Sequence, residues 1–131
     1  MTSDQPRRCR VFVVDNNVDL ARTLSDIIGF EPDLESVGYS CDGSDALARA
    51  TEANADVLIL DFSLPGKNAL AVLDDARRAG SDLSILVFTG YASPELAAEV
   101  RARGGAGYVV KGGDFDDLAG GGDQFQCYNG A

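Results

Sequence analysis

Val57-Leu58-Ile59-Leu60-Asp61-Phe62-Ser63-Leu64-Pro65-Gly66 is the stretch around which this chain is organised. Four consecutive apolar residues, β-branched or long and aliphatic, have the pattern of a strand buried on both faces. The run stops at a carboxylate, and Pro65-Gly66 turns the chain. A strand that stops at an acid puts that acid on the carboxyl edge of a sheet, where open α/β sheets bind ligands. Taken alone, Asp61 is as well explained as a simple strand terminator, since acids commonly follow strands.

The pattern recurs. Val11-Phe12-Val13-Val14 stops at Asp15-Asn16, Ile85-Leu86-Val87-Phe88 at Thr89-Gly90, and Tyr108-Val109-Val110 at Lys111-Gly112. An acid–amide pair, an acid, a hydroxyl and an ammonium thus each close a buried-strand pattern. If the strands are parallel, all four ends meet on one rim.

Between these runs lie helix patterns. Asn17 is placed to cap a helix carrying Leu20, Leu24, Ile27 and Ile28, which Gly29 and Pro32 end. Glu35 to Ser40 reads as a second strand, with Val37 and Tyr39 on one side. Asp42-Gly43-Ser44 opens a helix with Ala46, Leu47 and Ala50, and Asn68 to Ala79 another with Leu70, Leu73 and Ala76 inward. Ser93-Pro94-Glu95 starts a helix bearing Leu96 and Val100: a hydroxyl cap, a proline in the first turn and an acid at the positive pole. Arg101, Arg103 and Gly104 close it. Asp114 to Ala119 allows one and a half turns, anchored by Phe115 and Leu118, before Gly120-Gly121-Gly122. Five alternations of strand and helix predict an α/β fold: a doubly wound, five-stranded parallel sheet, flavodoxin-like (βα)5, with a short or degenerate fifth helix. Residues 1–8 read as a flexible arm, 9–119 as the domain and 120–131 as a Gly-rich tail without a clear period.

Composition narrows the function. A formal charge of −10 and only two lysines, Lys67 and Lys111, argue against direct nucleic-acid binding. The absence of histidine excludes a Ser-His-Asp triad, a His-ligated metal and a phosphohistidine within this chain. No apolar run approaches a membrane span and no signal pattern opens the chain, so a cytoplasmic location is expected. Cys9, Cys41 and Cys127, odd in number and unrelated in spacing, read as reduced thiols.

Asp15-Asn16, Asp61, Thr89 and Lys111, each after an apolar strand, resemble the receiver domain of two-component response regulators. The phrasing Glu31-Pro32-Asp33-Leu34-Glu35-Ser36-Val37-Gly38 and Gly105-Ala106-Gly107-Tyr108-Val109-Val110-Lys111 is most similar to receivers that precede helix-turn-helix output domains. The resemblance implies that Asp61 accepts a phosphoryl group from a sensor histidine kinase or phosphotransfer protein. It implies a Mg²⁺ site at Asp15, Asn16, Asp61 and the backbone carbonyl of Ser63. Lys111 would act as a point-charge clamp, and Thr89 with Tyr108 as a switch. Ser63 and Tyr91 resemble the residues that tune dephosphorylation. Transcription regulation is the implied output, the chain itself is not expected to be an enzyme acting on other substrates, and a homodimer is left open.

Two departures stand out. The family usually has two adjacent acids where this chain has Asp15-Asn16, so one negative charge is missing. It often has Lys-Pro in cis where this chain has Lys111-Gly112, so a trans bond is expected. These departures motivate one competing reading, a receiver-like interaction module that is not phosphorylated. A second is a haloacid dehalogenase-type phosphatase with Asp15 as nucleophile, in which Asn17 stands where the acid/base carboxylate belongs.

Overall fold

The computed structural model describes residues 8–90 and 93–110. Strands β1 (Cys9–Val14), β2 (Leu34–Ser40), β3 (Val57–Asp61), β4 (Ser84–Thr89) and β5 (Gly107–Val110) alternate with helices α1 (Val18–Gly29), α2 (Ala46–Glu52), α3 (Ala69–Arg78) and α4 (Pro94–Ala102). All pairings are parallel, and the sheet order is β2-β1-β3-β4-β5. This is the expected flavodoxin-like arrangement. The order reverses between β1 and β3, so a crevice opens where those two strands end. The expected fifth helix lies outside the described residues.

Period-two alternation divides the core into two faces. Phe12, Val14, Leu58, Leu60, Ile85 and Val87 pack under α2, α3 and α4. Val11, Val13, Val57, Ile59, Leu86 and Phe88 pack under α1 through Ala21, Leu24 and Ile28. Because the middles of β1, β3 and β4 are covered on both sides, the runs Val11–Val14, Val57–Leu60 and Ile85–Phe88 are apolar without a break and stop at the next polar residue. That is how the sequence fixes the position of the carboxyl rim.

One expectation about facing residues is corrected. Val37 and Tyr39 do not share a side: Val37 packs with the α2–α4 core and Tyr39 with the α1 core. The cause is a bulge, because Val11 pairs with Ser36 but Phe12 pairs with Gly38, leaving Val37 as an extra residue. Gly38 sits at φ 141°, where a Cβ would lie 2.9 Å from the Phe12 ring. In α3, Leu73 and Ala76 are buried and Leu70, half-buried, packs against the same core as expected, with Ala69 and Val72 joining them. The reduced-thiol expectation is also corrected at Cys9, which is disulfide-bonded; Cys41 is a free, exposed thiol.

The amino rim of the sheet is closed by Arg10. Its guanidinium donates to the carbonyls of Ala53 and Asn54 at the end of α2, at 2.8 and 3.0 Å, and pairs with Glu35 at 3.3 Å. Its backbone exchanges hydrogen bonds with Asp56: Arg10 N–H to the Asp56 carboxylate at 3.0 Å, and Asp56 N–H to the Arg10 carbonyl at 2.7 Å.

Candidate functional site

Asp15 follows the last residue of β1, and Asp61 is the last residue of β3. Val14 and Leu60 are register partners, so the two carboxylates occupy the next step on adjacent strands. Both are buried, Asp15 at 0% and Asp61 at 3% exposure. Water-excluded acids at a strand-order reversal are not surface decoration, because burying a carboxylate is costly without compensating contacts.

The compensation comes in part from one turn. The backbone N–H of Asn17 donates to Asp15 Oδ1 at 2.8 Å, and that of Asn16 donates to Asp61 Oδ2 at 3.4 Å. The turn continues into α1, whose N-cap is Asn17; its Oδ1 accepts from Asp19 N–H at 3.0 Å and Leu20 N–H at 3.2 Å. Asp15 N–H in turn donates to the Ser40 carbonyl at 3.2 Å, which ties the site to the end of β2.

Above the pair lies a cleft of about 810 Å³ lined by Asn16, Asn17, Phe62, Ser63, Leu64, Pro65 and Asn68. Apart from Asn68, its walls are the residues that follow each carboxylate in the chain. Asn68, which the sequence left without a role, caps α3 by accepting from Ala71 N–H at 2.9 Å. The β3–α3 loop is braced from the side, since Gly43 N–H donates to the Pro65 carbonyl at 3.1 Å and a Cβ on Gly43 would collide with the Lys67 carbonyl. Lys67 is ion-paired with Asp75 of α3, whose pKa is lowered chiefly by the Lys67 hydrogen bond, with Arg78 adding to the effect.

Thr89 is the last residue of β4 and is buried at 2% exposure. Asp61 pairs with Phe88, so Thr89 stands one step further along the same rim. Thr89 in turn pairs with Val110, the residue before Lys111. Lys111 and Tyr91 lie outside the described residues, as does the Lys111–Gly112 bond. Tyr108 is half-buried against the α4-side core. Its hydroxyl accepts from Ser93 N–H at 2.6 Å and donates to the Ser93 carbonyl at 3.3 Å. Ser93 is the N-cap of α4, with its Oγ accepting from Leu96 N–H at 3.1 Å.

The donor set near the cleft is two carboxylates, the Asn16 amide and backbone carbonyls. These are hard oxygen donors, which fit Mg²⁺ and suit soft metals poorly. Among the described residues no group of three or more His, Cys, Asp or Glu side chains is arranged to hold a metal. A third acid at this rim would occupy the position of Asn16.

Sequence reasoning named Asp15, Asn16, Asp61, Ser63, Thr89 and Tyr108, and the fold brings the first four to one crevice with Thr89 on the same rim. It did not identify Ser93 as the partner of Tyr108, and no local pattern signals that contact. In the receiver reading it identified Asn17 only as a cap. The spacing of Asp15 and Asn17, an acid two residues before an amide donor, was the available signal for its second contact.

A family profile described as the response regulator receiver domain matches residues 11–120. The DNA-binding transcriptional activator DevR/DosR of Mycobacterium tuberculosis is 36% identical over 102 residues, covering 78% of this chain and 47% of that protein. The nitrate/nitrite response regulator protein NarL of Escherichia coli is 27% identical over 118 residues, covering 90% of this chain and 54% of that protein. This chain therefore spans about half the length of these curated relatives. Among solved structures, the receiver domain of a NarL-type regulator from Mycobacterium tuberculosis superposes with a TM-score of 0.82 at 22% identity. That alignment covers 88% of this chain and 94% of the other. No helix among the described residues is long and apolar enough to cross a membrane.

Proposed function

The chain belongs to the response regulator receiver domain family, a class of signalling phosphoacceptor modules, and from that premise we propose that Asp61 is its phosphoacceptor. The family assignment removes the reading of a phosphatase built on Asp15. The observation that carries the proposal is the pair of buried carboxylates at the β1/β3 crevice, one on the strand end and one on the turn beside it.

In the proposed reaction an Asp61 carboxylate oxygen attacks the phosphorus of a phosphohistidine on the kinase. The new O–P bond forms as the P–N bond breaks, and the departing imidazole nitrogen takes up a proton. The chemistry asks for positioning and charge neutralisation more than covalent help. Asp15, Asn16, Asp61 and the Ser63 carbonyl would hold Mg²⁺, which supplies neutralising charge to the transferring oxygens. Asp15 would help hold the cation, and the N–H of Asn16 orients one Asp61 oxygen. Lys111 supplies a second positive charge, and Thr89 donates its hydroxyl to the acquired phosphoryl group. Tyr108 carries the change to the start of α4, and Ser63 and Tyr91 set how readily water reaches the acyl phosphate.

The relatives include a protein named as a DNA-binding transcriptional activator. Control of transcription, through an output domain or partner and with a histidine kinase upstream, is the corresponding proposal here. The missing acid at Asn16 favours a second reading, a receiver-like module that works unphosphorylated. Incubation with acetyl phosphate and Mg²⁺, followed by intact-mass measurement, separates the two. The phosphoacceptor reading expects one added phosphoryl group, absent from Asp61→Asn; an unmodified wild type would overturn it.

A further inference from the structure

We propose that Asn17 is a positioning residue for the carboxylate pair, acting through its cap on α1. The inference rests on the phosphoacceptor reading above. Asn17 has an extended backbone, φ −96° and ψ 107°, fixed by the two hydrogen bonds its side chain accepts from Asp19 and Leu20. Its own N–H reaches Asp15, and the N–H just before it reaches Asp61. One short turn thus touches both carboxylates, an amide for each, and the residue that closes the turn is the helix cap.

An N-cap ordinarily serves only its own helix. Here its side chain is committed to α1 and its main chain to Asp15. Without the side-chain bonds, the backbone of Asn17 is released from the conformation that aims its N–H at the acid. The helix itself persists, because Ala21, Leu24 and Ile28 hold it to the sheet. What loosens is the turn, and the hydrogen-bond partners of metal-ligating carboxylates tune metal affinity.

The test is a calorimetric Mg²⁺ titration of the whole chain, with acetyl phosphate labelling followed by intact mass. The variants are Asn17→Ala, Asn17→Ser and, as a stability control at the opposite rim, Arg10→Ala. Asn17→Ala is expected to bind Mg²⁺ about tenfold more weakly, the low end of what disturbing an outer partner of a metal ligand costs. Asn17→Ser, which can cap without an amide, should return to near wild-type affinity. Arg10→Ala should melt earlier with Mg²⁺ affinity unchanged. Wild-type affinity in Asn17→Ala, no recovery in Asn17→Ser, or an equal loss in Arg10→Ala would each overturn the inference. A wild type that neither binds Mg²⁺ nor takes a phosphoryl group overturns the phosphoacceptor reading itself. A wild type that does both while Asn17→Ala is unaltered sinks only the role of Asn17.

Discussion

The Tyr108 hydroxyl is hydrogen-bonded to both backbone groups of Ser93, accepting from its N–H at 2.6 Å and donating to its carbonyl at 3.3 Å. Edge strand β5 is thereby tied to the first turn of α4, two elements that otherwise meet through apolar packing. Replacing Tyr108 with Phe keeps the ring and removes both bonds. The expected cost is about 1 kcal/mol of unfolding free energy. Hydrogen exchange at the Ser93 amide should accelerate, with the β1 and β3 amides unaffected. Unaltered Ser93 exchange would show that the contact does not hold the helix start.

Asn16→Asp restores a second acid beside Asp15. Mg²⁺ affinity should rise about five- to tenfold, since a unit charge at contact range in a solvated site is worth about 1 kcal/mol or slightly more. Without the cation, the added charge repels Asp15 and Asp61, so the melting temperature should fall in chelator and recover in Mg²⁺. Equal Mg²⁺ affinities for the two proteins would remove the argument that the amide weakens the site.

Asp75 has a lowered pKa, chiefly through its hydrogen bond from Lys67. A carboxyl whose folded pKa lies below its unfolded value binds more protons when unfolded, so stability rises with pH through that window. The contribution is complete above the ordinary carboxylate pKa and disappears as pH falls through the lowered folded value. Asp75→Asn should flatten this acid-side slope, as read from urea midpoints across the acidic range. Because Asp75 is only half-buried and its partners Lys67 and Arg78 are exposed, the effect should also shrink in high salt.

Gly38→Ala tests the bulge. The residue holds φ 141° with the Phe12 ring in the way of any side chain. A loss of about 1–3 kcal/mol is expected from combined backbone and packing strain. Pairing the change with Phe12→Leu should recover part of it. An unchanged urea midpoint in Gly38→Ala would mean that β2 can shed the bulge without penalty.

The sheet was legible because β1, β3 and β4 are buried on both faces, so each apolar run ends where the rim begins. Asp15, Asp61 and Thr89 could therefore be placed on one edge from spacing alone. The misassigned face of Tyr39 shows where such reasoning stops. A bulge is set by pairing with another strand, and nothing inside Glu35 to Ser40 marks Val37 as the extra residue. The Tyr108–Ser93 bond was hidden for the same reason, since it joins residues fifteen positions apart through the packing of β5 beside α4. Asn68 is the opposite case. It stands at the start of the expected helix, and its role there is local: it caps α3 by accepting the Ala71 N–H three residues on.

Arg10 lies at the far end of the sheet from Asp15, Asn16, Asp61 and Thr89, and it holds β1, β2 and the close of α2 in one knot. The molecule therefore has a heel and a working edge. Loops at the working edge can be rewritten, as Asn16 already illustrates, while the heel keeps the strands in register beneath them. For protein engineering this means that retuned signalling variants should be sought among the turns after β1, β3 and β4, with the Arg10–Asp56 knot left intact as the foundation.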